Sequence, residues 1–415
     1  MHTWPATLVR AGAVVALTLA AIAPVASAQT ADTATPTPAV YAPGAAFVPG
    51  AGGFPVAAPP LPTPAAAPAA PAPAVPAQSQ VVDTIAVGPN PAGVVATADA
   101  VYVANNNQKG PSSVGILARR PGSPYANAYQ QTANIDGSTS SFAGTFDLAL
   151  SPDGKTLYAL NSGISASVST ISLFDTGTNQ FKGSIGGLNA PDAMALLPDG
   201  KTSYVANYGF YNYKTVDVSR VDSRLSLVDL QSGQVLKTVN VGRGPDSLAL
   251  SPDARTLYCA NVYDNNISVI DASTGTVRAT ISDPSVIGPF TIALTPDGRS
   301  LYVANYGNPL YPDRTDNNTV TVFDTATNSV ANVIVVGPAG SSPAGIAITP
   351  NGKYAYVTNY HTSGTVSVVD VAAGAVVQTL EVGSLPSEVA INPAGTYAYV
   401  TNFGDNTVSV IRIPR

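Results

Sequence analysis

The residues that usually do enzyme chemistry are scarce in this 415-residue chain, which has two His, one Cys and one Trp. His2 and Trp4 stand at the extreme N-terminus, so His361 and Cys259 are the single imidazole and thiol of everything that follows. A Ser-His-Asp arrangement would have to use His361, and no Gly-x-Ser-x-Gly elbow supplies its nucleophile. One imidazole and one thiol build neither a His/Cys zinc site nor an intramolecular disulfide. Cys259 reads as a small buried hydrophobe.

Carboxylates are more plentiful, and most are explained by turns. Asp153, Asp199, Asp253 and Asp297 sit in Pro-Asp-Gly-like sequences, and Asp175, Asp229, Asp271, Asp324 and Asp370 each precede a Thr/Ser/Gly/Asn turn. Short acidic side chains there bond to the backbone of the turn itself. Asp147, Asp192, Asp246 and Glu388 escape that explanation. Brought together, they would bind a hard cation through oxygen, Ca or Mg in a channel for example, or a cationic ligand. Otherwise they are hydrated charges or strand caps. No cofactor is evident.

Aromatic residues form the second chemical group. Tyr208, Tyr306, Tyr360 and Phe403 each follow an Asn at corresponding points of the chain, whereas Phe210, Tyr211, Tyr213 and Tyr311 occur in unrepeated insertions. Tyr offers broad contact area with a polar tip, suited to sugars or peptides. Repetition points to packing for the first four, which leaves the insertion residues as ligand candidates, with Arg243 and His361 nearby. Lys214, Arg220, Arg224 and Arg314 add positive charge. The net charge is nevertheless −6, so nucleic acid is disfavoured as a partner.

These side chains must be held by a repeating scaffold. Tyr-x-x-Asn occurs at Tyr102, Tyr158, Tyr204, Tyr258, Tyr302, Tyr356 and Tyr399, at intervals of about 50 residues, the period of a propeller blade. The copies share one grammar: an apolar strand and a turn before the Tyr strand, then a loop, then an alternating strand that in five copies ends in Asp, as in Ser-Val-Ile-Asp271, then a fourth strand such as the one ending in Val241-Gly242. Four short antiparallel strands per repeat define a blade. The expected fold is all-β, a seven-bladed β-propeller over residues 81–415. Residues 81–88 form a fourth strand with no blade before them, and the last repeat stops after its third strand, so the N-terminal strand is expected to complete the last blade. Closure leaves no open seam. The first repeat departs most, with Thr97-Ala98-Asp99 in its turn and Ala118 in place of the Asp.

Turns after strands one and three fall on one face of the disc, and connections after strands two and four on the other. The second face is expected to carry every long insertion and therefore the binding site.

The repeats resemble the YVTN family of bacterial and archaeal β-propellers, whose name motif stands almost verbatim at Tyr356–Asn359 and Tyr399–Asn402. The resemblance covers 81–415. It implies a seven-bladed fold, and because related seven-bladed propellers include lactone-opening enzymes it also implies an alternative to pure binding: a lactonase-like hydrolase using Asp147, Asp192, Asp246 or Glu388 with His361 or Arg243 to activate water. WD40 and pyrroloquinoline quinone propellers are poor matches for lack of Trp, and the Asp-box of sialidases is absent.

N-terminal to the repeats, Arg10, the apolar run 11–23, Pro24 and Ala26-Ser27-Ala28 follow the order of a secretory signal peptide over 1–28. Residues 29–80, rich in Pro and Ala, read as an extended linker that reaches about 150 Å when fully extended. The expected protein is therefore secreted or envelope-associated, without a membrane span after cleavage, and monomeric. Its expected role is a binding scaffold for a ligand, an envelope protein or a glycan, with a structural or adhesive surface protein as a third reading.

Overall fold

The structure, a computed structural model, describes residues 78–107, 112–119, 129–136, 143–163, 169–209, 221–307 and 317–414. Its strands pair into seven four-stranded antiparallel sheets. Blades 1 to 6 span 91–136, 143–185, 191–240, 245–282, 289–335 and 343–381, and blade 7 spans 386–412 together with 80–86. First strands of neighbouring blades touch one another all the way round, including blade 7 with blade 1. The ring is therefore closed.

Burial explains why these residues are strands. Second and third strands are buried on both faces, as in Tyr354–Asn359 and Thr365–Asp370, because another sheet covers each side. Fourth strands lie at the rim, and Ala375–Glu381 alternates exposed with part-buried residues along its length. No helix among the described residues is long and apolar enough to cross a membrane.

The repeat motif is scaffold chemistry. Asn402 Nδ2 donates to Thr407 Oγ1 and Ser409 Oγ, both at 2.9 Å, and Asn359 makes the same pair of bonds to Thr365 and Ser367. The Val-Gly that ends several fourth strands has a matching reason. A Cβ on Gly88, Gly242 or Gly383 would lie 2.5–2.7 Å from the next blade's Asn105, Asn261 or Asn402. The motif Tyr reaches the other way: Tyr204 Oη donates to the carbonyl of Ala272 in the strand three to four turn of blade 4, at 3.0 Å. In the turns themselves, Asp271 Oδ1 accepts the N–H groups of Ser273 and Thr274, and Asp153 Oδ1 accepts that of Lys155.

Closure uses the same contacts. Gln80–Ala86 pairs with Thr407–Arg412, with Gln80 opposite Arg412 and Ala86 opposite Thr407. Tyr356 of blade 6 finds no strand three to four turn in blade 7, because those two strands, Thr407–Arg412 and Gln80–Ala86, are not consecutive in the sequence. Its hydroxyl instead lies 2.6 Å from Ser79 Oγ, while Gln378 bonds both the N–H and the carbonyl of Ser79. Ser79 thus replaces the missing turn.

One expectation about the faces is corrected. The third strand of blade 1 ends at Arg119 and its fourth begins at Tyr129, so these two strands are separated by nine residues of sequence and not by the few of a tight turn. Ala118 cannot accept the hydrogen bonds that the Asp of other blades uses to close a short turn.

Candidate functional site at the loop-rich face

The loop-rich face is built on a rigid corner repeated in six blades. Asn90, Ala190, Gly244, Gly288, Ser342 and Leu385, each just before the Pro that opens a first strand, adopt left-handed φ values of 43–63°. Their carbonyls accept the N–H of the residue after the motif Asn: Tyr208 to Ala190 at 3.1 Å, Val262 to Gly244 at 3.0 Å, Tyr306 to Gly288 at 3.2 Å and Phe403 to Leu385 at 3.0 Å. Four of these residues carry a side chain in a conformation that costs an L-residue about 1–2 kcal/mol. The neighbouring strand overdetermines that geometry, so loop exits are held in place. A bulge follows in every first strand, for example between Pro191 and Ala193 and between Pro386 and Val389.

The bulge separates the four sequence-predicted carboxylates into two kinds. Asp192 and Asp246 directly follow Pro191 and Pro245, in adjacent blades, and are 1% and 0% exposed. Asp147 and Glu388 stand one residue further along blades 2 and 7, on either side of blade 1, and are half-buried. Room for each comes from a glycine in the preceding blade: a Cβ on Gly93 would lie 3.0 Å from Asp147 Oδ1, and one on Gly345 the same distance from Glu388 Oε1. Thr401 stitches this junction. Its Oγ1 accepts the Glu388 N–H at 3.0 Å and donates to the Ala92 carbonyl at 2.7 Å, as Thr358 does for Gly345 and Ser387.

Around Asp192 and Asp246 lies an aromatic cluster that sequence reasoning only half anticipated. Tyr208, Tyr263, Phe290 and Tyr306 are buried together, with Tyr360 at their margin. Tyr208 and Tyr263 share a hydroxyl–hydroxyl bond of 2.7 Å, and the Phe290 and Tyr306 rings stack at 4.7 Å. Burial, then the Tyr263, Asp246 and Asp192 groups, hold the Tyr208 hydroxyl well above the usual phenol range. Burial and then Asp246 likewise push the Cys259 thiol up. Oδ2 of Asp192 has no hydrogen-bond partner among the described residues.

The cationic candidates go elsewhere. Arg243 bonds Asp264 through both its backbone N–H and its Nε, at 2.8 and 2.7 Å. Arg224 forks onto the buried Asp222 at 2.8 and 2.7 Å. Burial by itself would raise the Asp222 carboxyl, but Arg224, Asn189 and the Ser223 N–H hold it below the usual range. His361 is exposed on blade 6, where its Nδ1 accepts the Ser363 N–H at 3.1 Å. The structure therefore gathers Asp192 and Asp246 with the aromatic cluster, and places His361 on an exposed turn of a different blade. Phe210, Tyr211, Tyr213 and Tyr311, with Lys214, Arg220 and Arg314, lie outside the described residues. Tyr263 and Phe290 were legible only through register, since Tyr263 stands one position later than its counterparts and Phe290 belongs to a first strand. Among the described residues no group of three or more His, Cys, Asp or Glu is placed to hold a metal ion.

No family model matches the chain, and no curated protein matches it. Among solved structures it is similar to hydrazine synthase from Kuenenia stuttgartiensis, at 22% identity over 78% of this chain and 96% of that one, with a TM-score of 0.62. At that identity the likeness concerns the fold alone, and with seven closed blades on the page the chain is a seven-bladed β-propeller.

Proposed function

We propose that the protein is a ligand- or partner-binding propeller of the YVTN type, secreted or envelope-associated, that works through the sector of its loop-rich face formed by blades 3 to 5. The observation that carries this is the concentration there, among the described residues, of buried carboxylates and clustered rings, beside two long strand two to three connections, 210–220 and 306–318. Loops on a rigid frame are where binding residues gather. The motif at Tyr356 and Tyr399 supports the family, and the residues from Arg10 to Ala28 support export.

Binding of the full chain to a glycan and peptide array tests this. Replacing 210–220 and 308–316 by short Gly-Ser turns should abolish retention of the array ligands, whereas Asp297→Asn on the tight-turn face should leave it intact. Equal retention by the loop-replaced protein would refute the assignment.

A further inference from the structure

The repeat supplies its own control for the two buried acids. The position directly after the opening Pro, or after Thr145 in blade 2, is occupied by Ala92, Phe146, Asp192, Asp246, Phe290, Ala344 and Ser387 in blades 1 to 7, and all seven are buried. Five blades close this corner without an acid. The fold therefore does not require a carboxylate there, and a carboxylate removed from water without a partner is costly. Asp192 is nevertheless present, nine-tenths or more buried, with its Oδ2 unbonded among the described residues. Thr291 Oγ1, in the first strand of blade 5, is a second buried polar atom of this sector without such a partner.

We propose that Asp192 anchors a subsite for an organic cation, an alkylammonium or guanidinium group, at the junction of blades 3 and 4 on the loop-rich face. The inference deepens the proposed binding role and rests on it. The group to be matched is a carboxylate, and buried surroundings strengthen its attraction for a cation. Nearby stands Tyr208, whose hydroxyl bonds that of Tyr263 in blade 4 at 2.7 Å, and tyrosine rings and hydroxyls suit a cation carried on an organic stem. Among the described residues no group of three or more His, Cys, Asp or Glu converges there, which favours an organic cation over Ca or Mg, ions that take six or more oxygens. An enclosed carboxylate is reached only when the side chains over it part, so association should be slower than an open surface would allow.

The test is calorimetric titration of the full chain, at constant ionic strength, with n-butylammonium and n-butylguanidinium chloride, and with n-butanol, calcium chloride and magnesium chloride as comparisons. At least one organic cation should bind saturably and n-butanol should not. Affinity should fall at least tenfold in both Asp192→Asn and Asp192→Ala, and stay within twofold in Asp99→Asn, which removes an exposed turn carboxylate. The Asn variant keeps the side-chain shape, and the Ala variant carries the residue of blades 1 and 6, so at least one folded variant is expected. Absence of saturable binding by both organic cations, undiminished binding in the Asp192 variants, or binding of calcium or magnesium in their place would overturn the proposal. Array ligands that need the 210–220 and 308–316 loops but not Asp192 would sink the cation subsite while leaving the binding role standing.

Discussion

Replacing Asp192 by Ala should make the protein more stable. An unsatisfied buried acceptor costs about 1–3 kcal/mol, and more when it carries charge. Against this, removing the carboxylate leaves a small void whose lining loses contacts. Ala92 and Ala344 show that the corner closes around a methyl group, and Phe146 and Phe290 that it closes around a ring, so little strain is expected. The net gain should be about 1–2 kcal/mol, a rise of a few °C in Tm for a domain of this size. Differential scanning calorimetry and equilibrium urea unfolding of Asp192→Ala beside the parent protein read it directly, with Asp99→Asn as an exposed control. A loss of 1 kcal/mol or more would mean that the carboxylate is integrated into the fold. The reasoning from the repeat would then fail, because a residue retained for stability needs no ligand to explain it.

Two further outcomes follow from the packing. The hydroxyls of Tyr102, Tyr158, Tyr204, Tyr258 and Tyr302 are raised above 10 mainly by burial, and that of Tyr356 is pushed up to about 12. The fold favours their neutral forms, so stability is complete below pH 10 and is lost as pH rises from about 10 to 12. Urea midpoints should fall over that window, with tyrosinate absorbance appearing together with unfolding; full tyrosinate absorbance in a still-folded protein would contradict it. Gly345→Ala should cost about 1–3 kcal/mol, because its Cβ would lie 2.8 Å from Glu388 Cα and 2.9 Å from the Ser387 carbonyl, backbone that cannot rotate away. Trimming Glu388 to Ala should rescue little of that loss in a thermal melt, and complete rescue would show that the clash is with the side chain.

The fold was legible because propeller geometry repeats its chemistry. Tyr-x-x-Asn, the Asp-closed turns and the terminal Val-Gly each serve a contact that recurs within blades or between neighbouring blades, so seven imperfect copies announced themselves. Closure was legible for the same reason, although Ser79 was not, because its partner Gln378 lies 299 residues away. Blade 1 misled where its repeat decayed, at Ala118 and the connection 120–128.

The site was only partly legible. Asp147, Asp192, Asp246 and Glu388 look alike in one dimension, and a single bulge decides which are enclosed and which are half-buried. The signal was present in spacing, since Asp192 and Asp246 directly follow Pro whereas Glu388 follows Pro386-Ser387. Arg243 and Arg224 looked free for a ligand because their partners, Asp264 and Asp222, come from turns and strands that no repeat marks.

Photo-crosslinking tests the central claim most directly. A benzophenone side chain can replace Arg243 or Thr362, exposed on the loop-rich face, or Lys201 or Arg299, exposed on the tight-turn face. Each full-length variant would be irradiated with envelope fractions of the producing cells. Adducts are predicted from positions 243 and 362, and none above background from 201 and 299. Adducts confined to 201 and 299 would place recognition on the opposite face and contradict the account.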